Sequence, residues 1–235
     1  MLVDTHTHVP RADGVDKIVY SAADPKDIER VFKTAAESPN IFCTLGVHPD
    51  FAGAIPNYEH LLSAPKVVGV GEIGLDYHNG TEAREKQIEL FEAQLEIARR
   101  NNLPVAVHSR EAESDTAAVL KNVSGVMHCF TSGYEFAKTM LDRGFFISAS
   151  GIITFKNAAA LRDTFAKIPI DKLVAETDAP YCAPVPHRGQ ESAPFMIIET
   201  AKCLAEIKKI PLVEMTDILW NNSHRLYDKL WHGKS

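Results

Sequence analysis

The sequence predicts an α/β fold, a single (βα)8 TIM barrel whose first crossover helix is shortened or absent. Three observations carry this expectation. Eight short apolar runs alternate with longer amphipathic stretches along the chain. The length, 235 residues, suits one barrel domain occupying 1–235. The glycine-rich turn that a doubly wound open sheet places after an early strand is missing.

The strand runs are Leu2–His6, Lys17–Ser21, Phe42–His48, Val67–Glu72, Pro104–His108, Val126–Cys129, Phe145–Ser150 and Leu173–Asp178. They are rich in Val, Ile, Leu and Phe, as parallel strands covered on both faces must be. Only Thr7 to Asp16 separate the first two runs, too few for a crossover helix, so a loop is expected there. Asp24-Pro25 opens the first helix, with Asp as cap and Pro in the first turn. Thr81 starts a second, whose Ile88, Phe91, Leu95 and Ala98 fall on one face. Ala112, Thr116 and Val119 mark a third helix, and Phe136 and Met140 a fourth that stops at Gly144. Leu161, Phe165 and Ile168 form a fifth, ended by Pro169. Two more, about Ala193–Lys208 and Leu212–Lys229, close the chain.

Composition excludes several classes. With 45% apolar and 24% charged residues, the chain as a whole is not disordered, collagen-like or coiled coil. A formal net charge of −6 and a pI of about 5.9 leave no broad positive field for gripping duplex DNA. Bound divalent cations would supply positive charge locally. Cys43, Cys129, Cys182 and Cys203 include no CxxC pair, which excludes a zinc ribbon or thioredoxin-type motif; reduced thiols are expected. No run approaches the ~18 apolar residues of a membrane span. Asp4 interrupts the N-terminus before a signal-peptide core forms. A soluble, cytoplasmic protein without a membrane partner is expected.

The chemistry-bearing residues concentrate at strand ends. His6 and His8 form an HxH pair whose rings point the same way along a strand. Glu72, His108, His128 and Asp178 end, or lie near the ends of, strands four, five, six and eight, and His48 ends strand three. In a closed barrel these ends form one ring, on the face where barrel enzymes build their sites. Taken singly, a strand-end His is most simply a hydrogen-bonded core residue. Taken together, four imidazoles and two carboxylates left without a cation would face heavy desolvation costs. Imidazole mixed with carboxylate suits zinc, manganese or iron better than the all-oxygen sets of calcium. Glu176 lies two residues before Asp178, so its carboxylate also points into the barrel and requires a partner or a function. Asp76 follows Glu72 by four and is read equally as orienting a ligand and as contacting the site. Arg110 pairs either with a substrate phosphate or with a nearby carboxylate. His187 and Arg188 sit in a loop stiffened by Pro180, Pro184 and Pro186, where Arg is placed to meet a phosphate. His60, His78, His224 and His232 fall outside the pattern, and Trp220 and Trp231 read as packing the last helix.

The segments VDTHTH, TLGVHP, VGEIGLDYH, LPVAVHSREA, MHCF, VAETDAPYCAPVPHRG and NNSHRLY together resemble the TatD family of metal-dependent deoxyribonucleases, within the amidohydrolase-like barrels. The resemblance runs from Leu2 to about Tyr227. It implies two divalent metal ions, zinc, manganese or magnesium. His6, His8 and Asp178 match ligands of the first, His108 and His128 ligands of the second, and Glu72 the carboxylate between them. His48 and Glu176 match positions used in catalysis, with Asp178. The implied activity is phosphodiester hydrolysis in DNA with 3′→5′ exonuclease character, on single strands or 3′ ends. A monomer is expected. The commonest opening of that family is His-Cys-His-Leu-Asp, where this chain has His6-Thr7-His8-Val9-Pro10; the ligands persist and the rim beside them changes.

Two other readings share these residues. A metal-dependent amidohydrolase or esterase, including a D-aminoacyl-tRNA deacylase, uses the same chemistry on the same barrel. Phosphotriesterase-like enzymes carry a carboxylated Lys where this chain has Glu72, which argues against that branch. A non-enzymatic metal-binding scaffold fits poorly, because all six ligand positions are filled.

Overall fold

Alternation of inward and outward side chains along eight parallel strands shapes this molecule. The computed structural model of the chain describes residues 1–53 and 55–231. The strands are β1 (Val3–Thr7), β2 (Lys17–Ser21), β3 (Ile41–Leu45), β4 (Val67–Asp76), β5 (Val105–Arg110), β6 (Gly125–Met127), β7 (Phe146–Ala149) and β8 (Leu173–Ala175). They form one parallel sheet in sequence order. The seam between β8 and β1 closes through Thr5 Oγ1 on the Ala175 carbonyl (2.9 Å), Asp178 N on His6 O (3.0 Å) and His8 N on Ala179 O (2.7 Å). The chain is a (βα)8 barrel.

The helices are α1 (Ile28–Glu37), α2 (Arg84–Arg100), α3 (Glu113–Val119), α4 (Tyr134–Asp142), α5 (Ala159–Lys167), α6 (Ile197–Lys208) and α7 (Leu212–Leu226). Among the described residues, no helix joins β1 to β2, as the ten-residue gap predicts, and only short 3-10 turns join β3 to β4. Asp24 caps the entry to α1, accepting from Lys26 N across a Pro25–Asp27 turn. Thr81 precedes α2, accepting Arg84 N through its carbonyl, and the last helix ends at Leu226 rather than Lys229. No described helix is long and apolar enough to cross a membrane.

One apolar side chain per strand (Val3, Val19, Phe42, Val68, Ala106, Val126, Phe146, Val174) fills one end of the barrel, closed beneath by Leu226, Tyr227 and Leu230. Trp220 packs against this layer, while the Trp231 side chain and His232 lie outside the described residues. Two residues further along, the same inward direction carries Ser21, Thr44, His108, His128, Ser148 and Glu176. The period of two thus sets an apolar floor and a polar layer above it.

The seam contains a titratable latch. Asp4 is buried; its carboxyl accepts Thr177 N (2.9 Å) and the Thr177 hydroxyl. Burial, only partly offset by the Thr177 hydrogen bonds, pushes its pKa up to about 8. The folded chain therefore holds this proton more tightly than the unfolded one, whose Asp titrates near 3.8. The stability it contributes is complete below about pH 4 and is lost as pH rises toward about 8. In chelator, Asp4→Asn should become progressively more stable relative to wild type across that window. Urea unfolding at pH 5 and pH 8 measures this; a stability difference between the two chains that does not change with pH contradicts it.

Candidate metal centre

Glu72 stands at the middle of the site. β4 does not end there, as the sequence suggests, but runs on to Asp76, with a register shift between Val70 and Ile73. The continuation depends on Gly74, at φ 146°, where a Cβ would lie 1.9 Å from the His108 carbonyl oxygen. β4 and β5 therefore stay paired through Asp76 and Arg110, with His108 opposite Gly74, two residues past Glu72. His48, His128, Glu176 and Asp178 lie just beyond the ends of their strands rather than within them.

Both oxygens of the Glu72 carboxylate meet imidazole nitrogens. Oε2 lies 3.4 Å from Nε2 of His6 and 3.4 Å from Nε2 of His8. Oε1 lies 2.9 Å from His128 Nε2, 3.1 Å from His108 Nδ1 and 3.5 Å from His48 Nε2. Asp178 Oδ1 completes the first group, 3.7 Å from His8 Nε2. His6 and His128 stack at 3.9 Å between ring centroids, and His6 and His8 bring their Nε2 atoms to 3.3 Å.

The far side of four of the five rings assigns its tautomer. His8 Nδ1 faces the Ser21 carbonyl at 3.0 Å, an acceptor only, and so carries hydrogen. His128 Nδ1 donates to Glu176 (3.0 Å) and His108 Nε2 to Asp76 (2.9 Å). His6 Nδ1 meets Ser21 Oγ at 3.2 Å, which already accepts from Thr44. In the neutral rings of His8, His128 and His108 the nitrogen turned toward Glu72 is then a lone pair, while the Ser21 hydroxyl, both donor and acceptor, assigns no tautomer to His6. Three lone pairs around a buried carboxylate repel one another unless positive charge lies between them. His48 is the opposite case. Its Nδ1 accepts from Asp50 N (3.2 Å), so in the neutral ring Nε2 is a donor.

The pKa directions describe the same field. Burial pushes Glu72 up, but His128, His48 and the His108 hydrogen bond outweigh it and hold its carboxyl well below the usual range. Burial pushes His128 down, but Glu72 and Glu176 hold it well above its ordinary value. Burial, with His128 beside it, lowers His6, and burial lowers His48.

The other expected residues divide. Glu176 is 0% exposed, and its carboxylate accepts Cys129 N (2.6 Å), His128 Nδ1 and Ser148 Oγ (2.6 Å). It stands behind His128, outside the pocket lining. Arg110 lines the pocket and makes no side-chain hydrogen bond or ion pair among the described residues. His187 and Arg188 do not line it: Arg188 stacks on Phe155 (3.8 Å) and His187 packs beside Phe195. His78 pairs with Glu111 (2.7 Å), and His224 bonds the Trp220 carbonyl on α7.

Sequence reading missed Ser21, which holds the backs of His6 and His8, and two glutamines. Gln94 clamps both backbone groups of Val47, next to His48, and Gln87 does the same for Asp76. Their signal was available: both fall on the buried face of α2, where an amide must find partners. The pocket above the centre has a volume of about 720 Å³ and carries two exposed aromatics, Phe51 and Tyr181.

The family model described as TatD related DNase matches residues 3–228. YcfH of Escherichia coli K12, named an uncharacterized metal-dependent hydrolase, is 37% identical, covering 96% of this chain and 95% of its own. YabD of Bacillus subtilis 168, named likewise, is 34% identical, over 97% of this chain and 99% of its own. The crystal structure of YJJV, a TatD homolog from Escherichia coli K12, superposes with a TM-score of 0.88 at 30% identity, over 97% of this chain and 98% of that one. With its barrel, the ring of imidazoles about Glu72 and a family match over nearly its whole length, the chain belongs to the TatD related DNase family.

Proposed function

We propose that this chain is a TatD-type metal-dependent hydrolase that cleaves phosphodiester bonds in DNA, acting on single strands or 3′ ends with two divalent cations. The observation that carries the reading is the set of imidazole lone pairs aimed at the two oxygens of Glu72. The donors fit cations of the zinc, manganese or magnesium class, with mixed nitrogen and oxygen favouring the first two. His6, His8 and Asp178 would hold one, His108 and His128 the other, and Glu72 both. When bound, such ions supply Lewis acidity toward phosphate oxygens and acidify water.

The protein's own groups supply the rest. Asp178 lines the pocket and accepts the proton of the attacking water. His48 Nε2–H donates toward a phosphate oxygen or the leaving group. Arg110 offers its guanidinium to a neighbouring phosphate. Phe51 and Tyr181, 42% and 63% exposed at the rim, are platforms on which unpaired bases stack. Glu176 orients His128 rather than meeting substrate. Two divalent ions would also change the formal charge from −6 to −2, with the change concentrated where a polyanion binds.

The test is hydrolysis of end-labelled single-stranded DNA with magnesium, manganese and zinc compared, chelator as control, and aminoacyl esters and cyclic amides alongside. A cation-dependent ladder from the 3′ end supports the reading. Turnover of the esters or amides with DNA left intact selects the amidohydrolase or deacylase reading instead.

A further inference from the structure

Beside the histidine centre lies a second constellation of different chemistry. Sγ of Cys129, Sγ of Cys182 and a carboxylate oxygen of Asp178 all lie within 4.8 Å of one another. All three residues line the pocket, so the cluster is reached from solvent. We propose that Cys129, Cys182 and Asp178 form a separate site for a thiophilic divalent cation of the zinc and cadmium class.

The geometry is set by the backbone. Cys129, Asp178 and Cys182 have φ of 40°, 55° and 56°, the left-handed region uncommon for non-glycine residues. Each therefore turns off the line of its strand or loop. Gly151 lets the Cys182 loop close in, because a Cβ there would lie 2.0 Å from the Cys182 carbonyl oxygen. Asp178 faces two ways: Oδ1 looks toward His8 Nε2 at 3.7 Å, and Oδ2 toward Cys182 Sγ at 3.6 Å. One oxygen thus serves the histidine centre and the other the thiol pair. On the far side, Cys129 Sγ lies 3.2 Å from Ser150 Oγ, a hydroxyl able to donate to the thiolate once the thiol proton has left.

The grouping of two thiols with a carboxylate fits a cation. A tetrahedral ion with metal–sulfur bonds of about 2.3 Å holds its two sulfurs about 3.8 Å apart, compatible with ligand atoms that lie within 4.8 Å of one another. Two thiolates and one carboxylate fill three positions, and the open pocket leaves the fourth to water. A disulfide would draw the sulfurs to about 2.05 Å and leave Asp178 outside. Binding is a displacement: one divalent ion and two thiols give one bound ion and two protons released to solvent, with no change of oxidation state.

The probe is cadmium, titrated into reduced protein already saturated with manganese, and the signal is the sulfur-to-cadmium charge-transfer absorption in the ultraviolet. Imidazole and carboxylate produce no such band, so the readout ignores the histidine centre. The band should saturate at one cadmium per chain. It should persist in Glu72→Gln and be lost in the paired substitution Cys129→Ser with Cys182→Ser, whose cadmium affinity falls at least about a hundredfold. A measurement on the unaltered chain keeps the test decisive should the paired variant fold poorly. Alkylation followed by peptide mapping should show Cys129 and Cys182 protected together by cadmium or zinc, with Cys203 unaffected. An unchanged band in the folded paired variant overturns the site. So does alkylation of both thiols at the same rate with and without the cation, or their oxidation to a disulfide without cation uptake.

Discussion

Replacing Glu72 by Ala should remove cation binding and lower the rate of phosphodiester hydrolysis by at least about a thousandfold, roughly 4 kcal/mol of transition-state stabilisation. The side chain is buried and faces five imidazoles, and no neighbouring carboxylate takes its place between the two groups. Its loss should leave the barrel standing. The apolar floor and the β8–β1 seam do not involve it, and histidines relieved of a buried anion simply release their protons. Circular dichroism should match wild type while dialysis finds bound cation lost. Glu72→Gln should behave alike, because an amide keeps the shape and loses the charge. Turnover near the wild-type rate in either variant contradicts the scheme.

Replacing Glu176 by Ala should act differently, because this carboxylate serves the protein before it serves the reaction. Cys129 N–H, His128 Nδ1–H and Ser148 O–H would lose their acceptor in a fully buried place. Breaking such a network costs about 3–5 kcal/mol, which lowers the Tm by about 6–20 °C in a chain of this size. Glu176→Gln is the informative companion. It keeps volume and an acceptor oxygen, so folding should survive, while His128 loses a charged partner and cation affinity falls about 10–100-fold. Restoring activity to Glu176→Gln with excess cation supports a positioning role. Loss of kcat at saturating cation, with affinity unchanged, assigns Glu176 to proton transfer instead.

The legible part of this molecule was the part governed by periodicity and residue type. Eight apolar runs fix eight strands, and HxH, GEIGLDY and ETDAPY place carboxylates and imidazoles at one end. The errors share a cause: strand ends are set by pairing partners, which a single run does not display. β4 extends past Glu72 because Gly74 admits the β5 backbone, and Asp178 passes β8 in a left-handed turn. The supports of the site were harder still. Ser21 acts through its carbonyl and hydroxyl on rings of another strand, and Gln87 and Gln94 act on loops far away in sequence. His187 and Arg188 looked like phosphate contacts by composition; in the fold Arg188 lies on Phe155, outside the pocket lining. Cys129 and Cys182, unrelated by any spacing motif, meet only because two loops turn toward Asp178.

Glu72, as proposed, divides its two oxygens between two cations, each with its own imidazoles. The direct measurement is an anomalous difference map from crystals loaded with manganese. Two peaks should flank the Glu72 carboxylate, one beside His6, His8 and Asp178 and the other beside His108 and His128. A map without density between these rings, or with manganese only at remote carboxylates, contradicts the account.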